Sequence, residues 1–430
     1  MAHVTRRDLA LAAGLAGAGL ATATAAQPAT PGGQMPASTP RVGTGGVQDG
    51  RVTLPPISAP TEGGGSLPNP DPVGRRVGMA VVGLGHLTLE EILPGVASCK
   101  HVRLTALVSG DRDKARTVAA QYGVPETHLY DYTNYDRLRD NPDVDFVYIV
   151  LPNSMHMEYT LRAAQAGKHV LCEKPMANTV AEAERMVAAC RDANRLLMIA
   201  YRLQYEPHHR ALIALARGGE HGPVRLIEAV NGQNQAKNQQ WRHIRALAGG
   251  GALPDVGIYC LNAARYVTGE EPVEITAQIT RPKDDPRFAE VEDLCAFTLR
   301  FPSGAVATCS TGYSFHDSRH MRVMMPEAWA EMSPAFSYRG LELRLGRKVG
   351  GANGVDQRRF PEKNQFMREM DHFAECIRAN RRPHTPGEEG LQDQKLIEAI
   401  YRAAEGGSPV RLPEVHGRDT TRGPAPQEQG

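Results

Sequence analysis

From Val77 to Ala200 the sequence alternates short apolar runs with polar-faced stretches of helical length, and few folds accept that rhythm. The runs Gly78–Val82, Val102–Val108, Val144–Leu151 (VDFVYIVL), His169–Cys172 and Leu197–Ala200 are almost continuously hydrophobic. A strand reads that way when both of its faces are buried, as in a parallel sheet covered by helices on each side. The intervening segments Asp111–Tyr122, His156–Ala166 and Val180–Asn194 have the patterning of the crossover helices that parallel strands require. The prediction is an α/β architecture with a doubly wound Rossmann domain over residues 77–201.

The first run ends in Gly83-Leu84-Gly85-His86-Leu87-Thr88, a turn that opens onto a helix. Two glycines permit a tight turn and bring backbone N–H groups close to a pyrophosphate at a helix N-terminus. Thr88 stands at the third position, where Gly or Ala is usual. The second run ends in Val108-Ser109-Gly110, with Arg112 and Lys114 close behind. NAD sites place an acidic residue there for the ribose 2′-hydroxyl, whereas a hydroxyl with cations suits a 2′-phosphate. Asp111 is near enough in sequence to reach the ribose itself. The balance favours NADP, with Gly83, Gly85, Ser109 and Lys114 as predicted contacts.

Beyond Tyr201 the character changes. Helical patterns at Pro207–Arg217 and Val256–Tyr266 flank strand-like runs at Val224–Val230, Val273–Thr280, Leu294–Phe301, Ala305–Tyr313 and Leu341–Leu345. This predicts a second, α+β domain over residues 202–412, with a large, mostly antiparallel sheet and helices on one face. Helices at Asn364–Arg378 and Glu388–Ala404 close it, and residues 413–430 are expected to be a disordered tail.

The N-terminus reads as an address. Thr5-Arg6-Arg7-Asp8-Leu9 precedes an uncharged stretch rich in Ala, Gly and Leu, then Ala23-Thr24-Ala25. That pattern predicts a twin-arginine secretory signal over residues 1–26, and hence a periplasmic protein with no lasting membrane anchor. The stretch is too short and too rich in small residues to span a bilayer. Residues 27–76 hold ten glycines and ten prolines, which predicts an extended arm. With 49 Lys and Arg against 48 Asp and Glu, the net charge of +1 argues against a dedicated nucleic-acid binder. The seven cysteines are scattered and suit neither a zinc ribbon nor a disulfide scaffold, so they are expected to be reduced and buried. His316 and His320 have a suggestive spacing but no third ligand, and no metal is predicted.

Two segments carry chemistry. Glu173-Lys174-Pro175 follows the fourth run, and Pro175 holds Lys174 in extended backbone at the carboxyl end of the sheet, where ligands bind in such folds. Gly249-Gly250-Gly251 leads through Asp255 into a helix bearing Tyr259, and a separation of four places both on one helical face. On position alone Lys174 reads equally as a surface charge, Asp255 as an N-cap and Tyr259 as a packed aromatic.

Taken together, the stretches AVVGLG, LTALVSG, VYIVLPNSMH, AGKHVLCEKPMA, QQWRHIRALAGGGALPDVGIY and PGEEGLQDQKLIEAIYRAA resemble the Gfo/Idh/MocA family of sugar and inositol oxidoreductases. Within it they are most similar to the glucose–fructose oxidoreductase branch, over roughly residues 77–412. The resemblance implies an NADP-dependent sugar oxidoreductase with tightly held nucleotide, oxidising an aldose at C1 to a lactone and passing the hydride to a second sugar. It assigns Tyr259 as acid/base, Lys174 as the cation beside it and Asp255 as the orienting residue. A phenol of ordinary pKa, about 10, needs such a neighbour to act as a base at neutral pH. Pro152, Asn153, His156 and Glu173, with Lys174, fall to the nicotinamide side. Arg202, Tyr205, Trp241 and Arg242 fall to the sugar pocket. A homodimer or homotetramer is also implied. An exported NAD-dependent glycosidase of the same family and a non-catalytic sugar or nucleotide sensor remain as alternatives. The stretch Phe315–Gly340 matches no motif, so the sugars themselves are not named.

Overall fold

A computed structural model describes residues 46–48, 51–53, 70–235 and 239–426. The predicted leader, most of the predicted arm and the last four residues lie outside these. Within the arm, β1 (Gly46–Gln48) pairs antiparallel with β2 (Arg51–Thr53) in a unit of its own. The arm ends earlier than predicted. Asp71 already accepts hydrogen bonds from His101 and Arg378 and so belongs to the body that follows.

The parallel sheet forms where the apolar runs placed it. β3 (Val77–Val82), β4 (Val102–Val108), β5 (Leu129–Tyr130), β6 (Phe146–Ile149), β7 (His169–Glu173) and β8 (Leu197–Ala200) lie in the order β5-β4-β3-β6-β7-β8, all parallel. Every residue of β3 and β6 is buried, which is why both read as unbroken hydrophobic runs. The helices are α1 (Leu93–Ala97), α2 (Arg112–Tyr122), α3 (Asn153–Gln165) and α4 (Val180–Asp192). The strand order switches direction at β3, next to the glycine turn, and ligands bind at such switch points.

The rest of the chain runs α5 (Pro207–Arg217), β9 (Leu226–Asn234), α6 (Arg245–Ala248), α7 (Ile258–Thr268), β10 (Glu274–Thr280), β11 (Leu294–Arg300) and β12 (Val306–Gly312). It continues through β13 (Ser314–Met324), β14 (Ala328–Met332), β15 (Leu343–Val349), β16 (Ala352–Arg358), α8 (Gln365–Ala379), α9 (Gly387–Gly406) and β17 (Val410–Arg411). Among the described residues the second sheet has the order β16-β15-β14-β13-β9-β12-β11-β10-β17, antiparallel except where β12 lies parallel to β9. β13, β14 and β16 were not anticipated: β16 is polar and largely exposed, and β13 is mostly polar through its first seven residues and buries only Met321 and Val323, so no long apolar run marks them.

Two further domain limits need correction. First, α8 does not cover the second sheet. Phe366, Met370 and Phe373 share a core with Met79, Phe146 and Tyr148 of the parallel sheet, and Phe373 meets Phe146 edge to face at 5.3 Å. Second, the segment 413–426 of the predicted tail is folded: Arg422 is buried against Glu389, and Asp419 pairs with Arg217. Charge pairing rather than apolar periodicity holds it, which explains the silence of its sequence. All seven cysteines are free and buried. No helix among the described residues is long and apolar enough to cross a membrane.

Candidate active site

Gly83 has φ +100°, and a Cβ there would lie 2.3 Å from the Val150 carbonyl oxygen, so only glycine lets the chain leave β3 this way. A Cβ on Gly85 would meet nothing within 4 Å, and this residue lies open at the edge of a cleft of about 700 Å³. Thr88 fills the third fingerprint position because its hydroxyl closes the turn, donating to the Gly83 carbonyl at 2.7 Å. On the same cleft stand Pro152 and Asn153 after β6, Glu173 and Lys174 after β7, and Arg202 after β8. Trp241, Arg242, Asp255 and Tyr259 face them from the other domain.

The centre is Tyr259. Lys174 Nζ lies 4.6 Å from its ring centroid and the Arg202 guanidinium 4.9 Å, so two cations pack against one phenol. Lys174 Nζ donates to the Asp255 carbonyl at 2.7 Å and lies 3.6 Å from Asp255 Oδ1. Asp255 Oδ2 accepts from Arg242 Nε at 3.1 Å and from the Tyr313 hydroxyl at 2.8 Å. Burial pushes the Asp255 pKa up, but Arg242, Lys174 and Tyr313 outweigh it and hold the carboxyl below its usual range.

Asp255 is not an N-cap. It sits inside a π-helical turn, Leu253–Gly257, that precedes α7 and carries its carboxylate toward the cleft. The buried Glu292 carboxylate anchors that turn, accepting from Gly251 N at 3.0 Å, Leu253 N at 2.9 Å and the Tyr401 hydroxyl at 3.0 Å. A Cβ on Gly251 would lie 2.1 Å from the Glu292 carbonyl oxygen, which fixes glycine there.

Arg202 is more than pocket lining. It is 3% exposed; its Nη2 donates to the Phe336 carbonyl at 2.8 Å, its Nη1 donates to Gln365, and its guanidinium lies 4.4 Å from the Tyr338 ring. Arg242 stacks over Trp241 at 4.5 Å. A bidentate ion pair joins Arg339 to Glu91 at 3.1 and 3.2 Å, linking the loop after β14 to the helical turn after Gly85.

Other predicted residues are engaged within the protein. Tyr205 is in the core, its hydroxyl 2.8 Å from Thr385 Oγ1, and does not reach the cleft. His156 is also enclosed, its ring nitrogens 2.9 Å from the Pro175 and Leu151 carbonyls, where it braces two strand-end turns. Asn153 donates to the Ala248 carbonyl at 2.9 Å, tying α3 to α6. Ser109 sits at the end of β4 and accepts the Asp111 N–H at 3.1 Å, while Lys114 is exposed on the first turn of α2. Asp111 is committed as the cap of α2, accepting from Lys114 N at 3.0 Å. His316 and His320 fall on the strand β13, which puts them about 13 Å apart along the chain rather than one helical turn apart. Among the described residues no group of three or more His, Cys, Asp or Glu is placed to hold a metal.

Sequence reasoning missed Tyr313, Arg319, Phe336 and Tyr338. The first grips Asp255 and the others border the cleft. Arg319, Phe336 and Tyr338 come from the stretch without a motif, where their spacing carries no signal before the loop is folded.

Three family models match the chain: an oxidoreductase family, NAD-binding Rossmann fold over residues 77–201, a GFO/IDH/MocA C-terminal domain over 209–331, and an oxidoreductase-family C-terminal alpha/beta domain over 358–412. D-xylose 1-dehydrogenase [NADP(+)] of Haloarcula marismortui is 35% identical over 347 residues, covering 78% of this chain and 93% of that protein. D-xylose 1-dehydrogenase (NADP(+)) 2 of Haloferax volcanii is 28% identical, covering 77% of this chain and 98% of that protein. The crystal structure of an aldose–aldose oxidoreductase from Caulobacter crescentus complexed with glycerol superposes with a TM-score of 0.76 at 50% identity, covering 79% of this chain and all of that one. With the glycine turn, the parallel sheet and the paired C-terminal domain all in place, this chain belongs to the GFO/IDH/MocA oxidoreductase family.

Proposed function

We propose that this chain is a periplasmic, NADP-dependent sugar oxidoreductase that oxidises an aldose at C1 to a lactone and transfers the reducing equivalents to a second sugar while its nucleotide stays bound. The observation that carries the reading is Tyr259, packed between Lys174 and Arg202 on a cleft that also opens to the Gly85 turn. The 50% identity to an aldose–aldose oxidoreductase and the NADP-dependent xylose dehydrogenase relatives support the substrate class and the cofactor. The residues present fit a dinucleotide: Gly83 permits the tight turn, Gly85 leaves backbone open at the sheet's switch point, and Ser109 and Lys114 offer a hydroxyl and a cation at the end of β4. Asp111, the acid that competes with a 2′-phosphate in sequence, is turned into a helix cap.

Bound nicotinamide supplies the two-electron acceptor. The chain's own residues handle the proton and the geometry. Acting as the phenolate, its charge facing the cations Lys174 and Arg202 in a low-dielectric pocket, Tyr259 accepts the proton of the C1 hydroxyl and becomes the neutral phenol. Asp255 orients Lys174 and offers an acceptor to a sugar hydroxyl. Tyr259 then returns its proton to the carbonyl oxygen of the second sugar. Retention of the nucleotide follows from the export signal at Thr5-Arg6-Arg7, because free NADP(H) is scarce outside the cytoplasm.

The test is to denature purified mature protein, measure released NADP, and expose the native protein to a panel of aldoses while reading the near-ultraviolet absorbance of its nucleotide. Stoichiometric NADP, reduced by aldoses without addition and reoxidised by a second sugar, supports the reading. If none co-purifies and activity needs freely exchanging NADP, the two-sugar transfer fails. Cleavage of a chromogenic glycoside points instead to the glycosidase alternative.

A further inference from the structure

Below the cleft lie two carboxyls that share one phenol. Tyr148 on β6 is fully buried, and its hydroxyl oxygen lies 2.8 Å from Glu173 Oε1 and 3.0 Å from Glu369 Oε1. A phenol has one hydrogen to give. Were both carboxyls ionised, one of these contacts would set lone pair against lone pair in a dry interior, so the trio must hold a second proton.

The surroundings say where it sits. Glu173 Oε2 accepts the Lys174 N–H at 3.2 Å, and Glu173 borders the cleft. Glu369, on α8, is 0% exposed, and its Oε2 has no hydrogen-bond partner among the described residues. The groups that face Glu369 are Tyr148 from β6, Glu173 from β7, and Arg202 and Tyr205 from the turn after β8. Arg202 favours ionisation, but its Nη donors are spent on Phe336, Ser337 and Gln365, and its Nε, which has no partner among the described residues, makes no hydrogen bond to Glu369. Burial first, and the Glu173 charge second, push the Glu369 pKa well above the usual range.

We infer that Glu369 is a positioning residue that works as a neutral acid, donating to Tyr148 so that Tyr148 donates to Glu173 and Glu173 alone carries charge. Beside Tyr259 this leaves the cations Lys174, Arg202 and Arg242 set against the carboxylates Asp255 and Glu173. The surplus positive charge is what the Tyr259 oxygen meets when it takes on negative charge. An ionised Glu369 would cancel it. The inference rests on the acid/base role proposed for Tyr259.

Infrared spectroscopy of the holoenzyme at neutral pH tests the proton directly. The expected result is a protonated-carboxyl C=O band that shifts in deuterium oxide and vanishes in Glu369→Gln; a spectrum in which that substitution removes no such band overturns the assignment. Kinetics test the positioning. Glu369→Leu removes the donor and is expected to lower kcat/KM by about tenfold, the worth of one buried hydrogen bond. Glu369→Gln, whose amide still donates to Tyr148, is expected to recover most of that loss and to keep the wild-type pH profile. If Gln fails as Leu does, or if both match wild type, the inference falls. Failure of the Tyr259 reading looks different: Tyr259→Phe turns over normally while the Glu369 band is intact.

Discussion

Helix α7 carries two clusters of buried charge that behave as opposites. Near its C-terminal end, Arg265 is wholly enclosed and all three of its guanidinium nitrogens donate to Glu271, Glu389 and Asp393. Arg422 adds two hydrogen bonds to Glu389 at 2.8 and 3.0 Å. Burial opposes the Glu389 charge, yet Arg265 and Arg422 hold its carboxyl far below the usual range. Just before the helix and at its start, Asp255 and Tyr259 meet Lys174, Arg202 and Arg242 beside a cleft of about 700 Å³. One cluster spends its donors on the protein, and the other keeps a face toward solvent and ligand. Buried charge by itself therefore says little about function; access to a cavity divides structural pairs from chemical ones.

The comparison breaks most sharply at Tyr259. Tyr259→Phe is expected to lower kcat/KM roughly 10²–10⁴-fold while thermal unfolding moves by only about 2 °C; near-normal turnover in steady-state assays would remove the role. Arg265→Met should do the reverse. It leaves Glu271, Glu389 and Asp393 without their partner and is expected to cost about 3–5 kcal/mol in chemical unfolding, with the folded fraction still turning over. A loss under about 1 kcal/mol would mean that the network is not structural.

A smaller effect appears with pH beside the same helix. His209 sits between Tyr266 on α7, whose hydroxyl is 2.6 Å from Nδ1, and the Ala335 carbonyl, 2.7 Å from Nε2, so its neutral tautomer is fully used. Burial pulls its pKa down to about 4. An unfolded histidine takes its proton at about pH 6.5, so this contribution is complete above that pH and is lost as pH falls toward the folded value. The expected share of His209 is on the order of 2 kcal/mol by about pH 5, read as a urea midpoint that falls less steeply in His209→Gln than in wild type. The part-buried His169 and the buried His372 and His384, also lowered by burial, keep their own shares. Glu389 stays ionised through that window, but Asp393 in the same network, pushed up by burial to about 6, takes on a proton there and acts with the opposite sign. A midpoint that falls as steeply in His209→Gln as in wild type would overturn the tautomer assignment.

The parallel sheet was legible because burial on both faces writes itself into composition: Val102–Val108 and Leu197–Ala200 fall at the predicted limits. Lys174, Asp255 and Tyr259 were legible because short motifs fix where the backbone presents them. What stayed hidden depends on long-range meetings. Tyr205, three residues from Arg202, turns inward to Thr385, and nothing local distinguishes it from its neighbour. Tyr313 reaches Asp255 across 58 positions, and Glu369 reaches Tyr148 across 221. The folded segment 413–426 was silent because it docks through Asp419 and Arg422 rather than an apolar stripe.

The placement of α8 bears on how this molecule comes into being. Phe366, Met370 and Phe373 complete the floor of a nucleotide half whose strands end at residue 200. That half therefore remains unfinished on the ribosome until most of the polypeptide has been translated, and a fragment stopping near residue 201 would present an uncovered sheet to aggregation partners. Synthesis must be nearly over before a coenzyme finds a finished berth.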